Sequence, residues 1–353
     1  MFGDLATPPP WVRVERFCDI DSQAAQYRGY SQEYQQLSSG PFDGRVTAFD
    51  FGDDFALQFE TANQELAQAA VTPADHWGVC VLTETSPPCT LNGATLARDH
   101  LVVCPGGKAL VAKTPAGVNV YCMDLARDLL LGEADKRRSV EVIYDAQGAR
   151  CLREALVSGL STLVRLQSIE QHPAAARAFK SAVADILRRI VSGISADSPD
   201  RVPQCARRRA VRIFCIAQEY IDHCLTDGIS VAEVCRQTGA SRRSLECIFQ
   251  SILGMGPGAY IRNLQLNRVR RDLLSGDQEA VSIGEIAAQY GVWHWSRFSQ
   301  NYKQLFGELP SETRARHAAA KASALSSGGG VHSRQAREAG LHALMGSQAA
   351  REQ

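Results

Sequence analysis

The chain has no excess of charge, since 38 Lys+Arg balance 38 Asp+Glu, and only 7% of its residues are aromatic. No uniform field of either sign can therefore draw the whole molecule to a polyanion. Nowhere do 18 apolar residues run without interruption, which excludes a membrane-spanning helix from the reading. The first residues, MFGDLATPPPW, lack the basic start and apolar core of a secretory leader. A cytoplasmic protein with no membrane partner is expected. Its eleven cysteines include no C-x-x-C and no pair near a histidine pair at ligand spacing, so neither a zinc site nor a disulfide framework is indicated. Reduced thiols, no metal and no cofactor follow.

What is present divides the chain. With 353 residues, 45% of them apolar, two domains are the expectation. Residues 1–200 carry a net charge of −7 and residues 205–316 a net of +4, so only the back half suits a polyanion. From 45 to 125, segments such as VTAFDF, FALQFE, WGVCVLTET and VNVYCMDL stand between Pro, Gly and Asn clusters, the pattern of a β-sandwich or barrel. From 148 to 194 the period becomes 3.6, with Leu152, Leu156, Leu160 and Leu163 on one stripe and Phe179, Val183, Ile186, Leu187, Ile190 and Ile194 on another. Two amphipathic helices parted at His172-Pro173 are expected. Residues 195–209, SADSPDRVPQCARRR, read as a linker, and 317–353, rich in Ala, Ser and Gly, as a disordered tail.

The back domain, 210–316, contains one unit twice. SVAEVCRQTGASRRSLECIFQSILGMGP (230–257) matches SIGEIAAQYGVWHWSRFSQNYKQLFGELP (282–310) with one inserted residue. Each copy opens on Ser-x-x-Glu, a capping box, and each has a glycine at the turn, Gly239 or Gly291. Each then continues into a second helix with a buried stripe: Leu245, Ile248, Phe249 and Ile252, or Phe298, Tyr302, Leu305 and Phe306. This is a helix-turn-helix, whose second helix can enter a major groove. Residues 259–276 between the copies are periodic and read as one long connecting helix.

This arrangement resembles the AraC/XylS transcription regulators, whose DNA-binding domain joins two helix-turn-helix units by a helix. Val292, Asn301 and Gln265 depart from the family's usual Phe, apolar residue and Arg. The resemblance implies an α+β chain: a cupin-like N-terminal barrel with dimerising helices over 1–194, then the all-α double unit. It places Arg243 and Glu246 of the first unit, and Trp295, Ser296, Arg297 and Gln300 of the second, at positions that face DNA. Arg can bond guanine, Gln adenine and Glu cytosine, while Trp can meet a thymine methyl or plug the domain's own surface. Arg242, Arg262 and Lys303 are read as phosphate clamps. The implied partners are double-stranded DNA, a small-molecule effector, RNA polymerase and a second copy, with Leu156, Leu160, Ile186 and Ile190 pairing across a twofold axis; packing within the subunit is the competing use of those four. An activator is the expected role.

Rival chemistry finds little support. A metal-dependent cupin needs clustered His and carboxylate ligands, whereas the front domain offers His76 and His100, far apart. Asp50-Phe51-Gly52 copies a kinase triplet without the other kinase motifs and reads as a β-turn. Cys104 reads as a buried small hydrophobe rather than a nucleophile. An enzyme is not expected. The remaining alternative is a regulator whose front domain binds a protein partner.

Overall fold

The computed structural model describes residues 8–326 except 28, 131–139, 167, 193–200 and 276–280, and omits side chains at 201–205, 227, 320 and 323–326. Twelve strands build two antiparallel sheets. The larger has the order β1 (Val12–Phe17), β3 (Gly44–Asp50), β4 (Phe55–Ala62), β11 (Val118–Ala126), β6 (His76–Leu82), β9 (His100–Cys104), β12 (Glu141–Tyr144). The smaller runs β2 (Ser31–Gln36), β5 (Leu66–Val71), β10 (Ala109–Thr114), β7 (Cys89–Leu91), β8 (Ala94–Leu96). Apolar side chains from both meet between them, including Tyr34, Leu66, Leu91 and Ala112 from the small sheet and Val46, Leu82, Val102 and Val120 from the large one. The result is a cupin-like double sheet.

Strand β11 shows why the large sheet is apolar on both faces. Val118 and Val120 point between the sheets, whereas Tyr121, Met123 and Leu125 point to the outer face. Two helices cover that outer face. Helix α2 (Ala146–Leu163) begins at Asp145, whose carboxylate accepts the Gly148 amide at 2.8 Å. Helix α3 (Pro173–Ser192) begins at a proline, which has no amide to leave unsatisfied there. Leu156 and Leu160 are 0% exposed, and Ile186 and Ile190 are also buried in this one core. The four residues assigned to pairing between subunits are thus consumed within their own. The outer faces carry Glu154, Ser158, Arg177, Ser181, Asp185 and Arg188 instead. Phe51 packs on Phe179 at 5.2 Å, and Gly52 takes φ 93° in the turn between β3 and β4, a structural role for the kinase-like triplet.

The back domain comprises α4 (Arg201–Cys224), α5 (Val231–Thr238), α6 (Arg242–Leu253), α7 (Pro257–Ser275), α8 (Ile283–Gln289), α9 (Trp295–Phe306) and α10 (Pro310–Ser326). Three boundaries differ from the sequence reading. Strands β1 and β2 lie before residue 45 and β12 after 125; β2 escapes the hydrophobic pattern because its polar side chains serve a domain contact. Residues 201–209 belong to α4 rather than a linker: Pro203 falls in the first turn, where amides lack helical partners anyway. Helix α10 carries the chain to Ser326, past the expected end at 316. The rest of the linker (195–200), Ile194 and the remaining tail (327–353) lie outside the described residues.

The two domains are joined face to face. Ala67, Ala69, Val71 and Val111 on the outer side of the small sheet share a core with Phe214, Phe249, Ile252, Leu253 and Tyr260. Beside this patch, Asn267 on α7 accepts the Gln36 amide at 2.9 Å and donates to the Gln36 carbonyl at 3.2 Å. Arg268 bonds Glu33 and Asp222, and Arg271 bonds Asp21 and Glu33, at 2.9–3.3 Å. The Gln36 side chain reaches the Leu305 carbonyl at 2.8 Å, and the same carbonyl accepts the Gly40 amide at 3.0 Å.

Removing the Asn267 amide should loosen this junction. Asn267→Ala leaves two buried backbone groups of Gln36 unpaired, a penalty of about 1–3 kcal/mol. Amide exchange at β2 should accelerate, while exchange in β11 stays as in the parent; unchanged exchange at Gln36 would show that the junction does not depend on this side chain.

Candidate nucleic-acid interface

Both helix-turn-helix units are built from the same local chemistry. Ser230 accepts the Glu233 amide at 3.3 Å and Glu233 returns a bond from the Ser230 amide at 2.8 Å; Ser282 and Glu285 repeat this at 3.2 and 2.8 Å. These bonds hold both carboxyls below the ordinary glutamate range. Gly239 (φ 64°) and Gly291 (φ 73°) make the turns in the left-handed region that favours glycine. Helices α6 and α9 each end at a left-handed glycine, Gly254 or Gly307, and a proline starts the next helix in both copies.

Each second helix is anchored by aromatic packing. In the first unit Phe249 lies 4.9 Å from Phe214 and 5.5 Å from Tyr260. In the second Phe298, Tyr302 and Phe306 meet edge to face along α9 at 5.8 and 4.6 Å, with the Arg270 guanidinium 4.6 Å over Phe306. A buried polar network escaped the sequence reading: Arg270 bonds Glu308 at 2.8 Å and the Tyr302 hydroxyl bonds Thr313 at 2.9 Å, fixing α10 to α9. Its only sequence signal was a charged residue on the inner stripe of α7. Gln265, where the family usually has Arg, donates to the Tyr290 carbonyl at 2.8 Å and ties α7 to the second turn.

The opposite faces hold the residues singled out for DNA. Arg242, Arg243, Arg262, Ser296, Arg297, Gln300 and Lys303 are all exposed. Among the described residues none of the cations Arg242, Arg243, Arg262, Arg297 and Lys303 forms an ion pair, whereas Arg268, Arg270 and Arg271 are all paired inside. These three inward arginines are paired with carboxylates, whereas the five exposed cations carry no such partner among the described residues. Glu246 is half-buried and turned toward the α6–α7 corner, where a Cβ on Gly256 would stand 2.4 Å from its Oε2. Trp295 packs on its own domain, with its ring on Gly284, where a Cβ would come within 2.5 Å, yet 52% of it stays exposed.

A helix-turn-helix domain model matches residues 234–316. The probable thc operon regulatory protein of Rhodococcus erythropolis is 37% identical over 97 residues, 28% of this chain and 29% of its own length. XylDLEGF operon transcriptional activator 3 of Pseudomonas putida is 37% identical over 98 residues, 28% of this chain and 30% of its length. The back domain is thus of the kind found in AraC/XylS-type operon regulators. The chain spans less than a third of the length of these two curated relatives. The solved AraC-like activator CuxR covers 79% of this chain, which covers 92% of CuxR, at 18% identity and TM-score 0.35; ToxT of Vibrio cholerae O395 covers 81%, with 97% of its own chain covered, at 14% and 0.27.

The front domain holds a second polar constellation, between the sheets. Glu60 is 3% exposed; its Oε1 accepts from Gln23 (2.7 Å) and Tyr34 (3.0 Å), and its Oε2 from Tyr27 (2.7 Å). Burial outweighs those donors and raises the carboxyl above its usual range. Cys104 is 1% exposed, and burial pushes its thiol up to about 12, leaving little nucleophilic thiolate. His76 pairs with Asp75 while His100 packs on Tyr144, and no metal-binding group of three or more His, Cys, Asp or Glu occurs among the described residues.

Two outcomes follow. Arg243→Ala and Arg297→Ala should each weaken specific binding by about 1–3 kcal/mol and relax preference at one base pair, while Lys303→Ala weakens all sequences alike; equal losses on specific and random duplexes for all three would assign the arginines to phosphates. Because the folded Glu60 binds its proton more tightly than the unfolded chain, stability should fall as pH rises from about 4.5, the ordinary value, through the raised one. Urea melts of Glu60→Gln should lose that slope, and an unchanged profile would assign it elsewhere.

Proposed function

We propose that this regulator is an effector-responsive activator that reads two successive major-groove segments with α6 and α9. The observation that carries this reading is the partition of cations: the inward Arg268, Arg270 and Arg271 are paired, and Arg242, Arg243, Arg262, Arg297 and Lys303 are exposed without carboxylate partners among the described residues. Arg243, Ser296, Arg297 and Gln300 would meet bases, joined by Trp295 and Glu246; Arg242, Arg262 and Lys303 would hold phosphates. RNA polymerase as a partner is carried by the family resemblance.

Effector response has a physical route in β2. Tyr34 turns inward to Glu60 between the sheets, while its neighbours Glu33, Gln35 and Gln36 bind Arg268, Tyr260 and Asn267 of the DNA-binding domain. A small molecule that displaced Tyr34 from Glu60 would move the strand that seats α7. Polar donors around a buried carboxylate suit an effector with hydrogen-bonding groups. The chain is read as a homodimer on paired sites, with a pairing surface other than Leu156, Leu160, Ile186 and Ile190.

Footprinting tests the double reading. A single site should show two protected patches about 10 base pairs apart, and inserting half a helical turn between them should abolish binding. Tolerance of that insertion would leave one unit reading DNA.

A further inference from the structure

Three large apolar side chains are exposed among the described residues: Tyr144 (68%), Trp293 (75%) and Trp295 (52%). Two of them flank His294 at the start of α9. Isolated exposed apolar residues are ordinary, but two indoles side by side at a helix start are not. Trp293 makes no ring contact among the described residues, whereas Trp295 lies on Gly284 and 5.4 Å from Phe298. The two units differ at this point. Ser241 caps α6 by accepting the Ser244 amide at 3.1 Å, while His294 gives α9 no side-chain cap. The entry to the second reading helix thus lacks a stabilising cap and presents a bare indole. From Glu285 to Glu308 the chain has no acidic residue in between, while Arg297 and Lys303 lie exposed on α9. An aromatic surface with unopposed positive charge, continuous with Ser296, Arg297 and Gln300, suits a nucleic acid duplex.

We infer that Trp293 is a specificity-determining residue that reads thymine through its C5 methyl group. This rests on the DNA-reading role proposed for α9. Within a major groove the thymine methyl is the apolar feature a flat, weakly hydrogen-bonding side chain can distinguish. The second unit then selects sequence partly by apolar contact, where the first relies on Arg243.

The test uses the full chain. Duplexes enriched from a random library supply the site, and each thymine in it is replaced in turn by deoxyuridine, which removes only the methyl. One or two replacements in one half of the site should weaken binding about fourfold each, the equivalent of ~0.8 kcal/mol for a methyl-sized group withdrawn from water. Trp293→Ala should bind more weakly and lose that uridine response, Trp293→Phe should keep part of it, and the salt slope should be unchanged in both. Because Trp11 and Trp77 are buried, duplex should also shield the exposed indoles from acrylamide quenching in the parent. An unchanged uridine response in Trp293→Ala overturns the inference, whether or not affinity falls. Enrichment of no sequence at all would overturn it together with the DNA-reading role, an outcome distinct from a site without methyl dependence.

Discussion

The arrangement of this chain hangs on an edge. Strand β2 is the last strand of the small sheet, so its outward backbone groups have no strand to pair with. Asn267, 4% exposed, closes that edge by bonding both the amide and the carbonyl of Gln36, as a neighbouring strand would. An edge capped by a side chain from another domain couples two tasks that are usually separate: protecting the sheet from unwanted pairing and holding the DNA-binding domain. The apolar patch around Val111 and Phe249 supplies area, and the ion pairs of Arg268 and Arg271 supply orientation. Neither fixes register as a two-point amide bond does.

The duplicated units were legible because their signals are local. Capping boxes, turn glycines and 3.6-residue stripes each report on a few adjacent residues, and the structure places Ser230, Gly239, Phe249, Ser282, Gly291 and Tyr302 as those signals implied. The outward position of Arg243 and Arg297 was legible for the same reason. What escaped the sequence were features that depend on distant partners. Strand β2 reads as polar because Glu33, Gln35 and Gln36 meet residues more than 180 positions away. The Arg270–Glu308 pair joins α7 to the turn before α10, and no spacing rule connects them.

The stripes on α2 and α3 teach a related point. Amphipathic periodicity says that a face is covered without saying by what. Leu156 and Leu160 were as well suited to a twofold partner as to a sheet. The decision came from the other side: β11 presents Tyr121, Met123 and Leu125 outward, and those side chains need a cover in their own subunit. Apolar strands on both sheet faces were the signal that could have settled it.

Trp295 rests on Gly284, a position on α8, the first helix of the second unit. Any side chain there must displace the indole, and the indole adjoins Ser296 and Arg297 at the start of α9. The first helix of the unit therefore helps to shape the exposed surface of the second. That surface can therefore change without any substitution on α9 itself; one methyl group added beneath the indole would suffice to re-aim it.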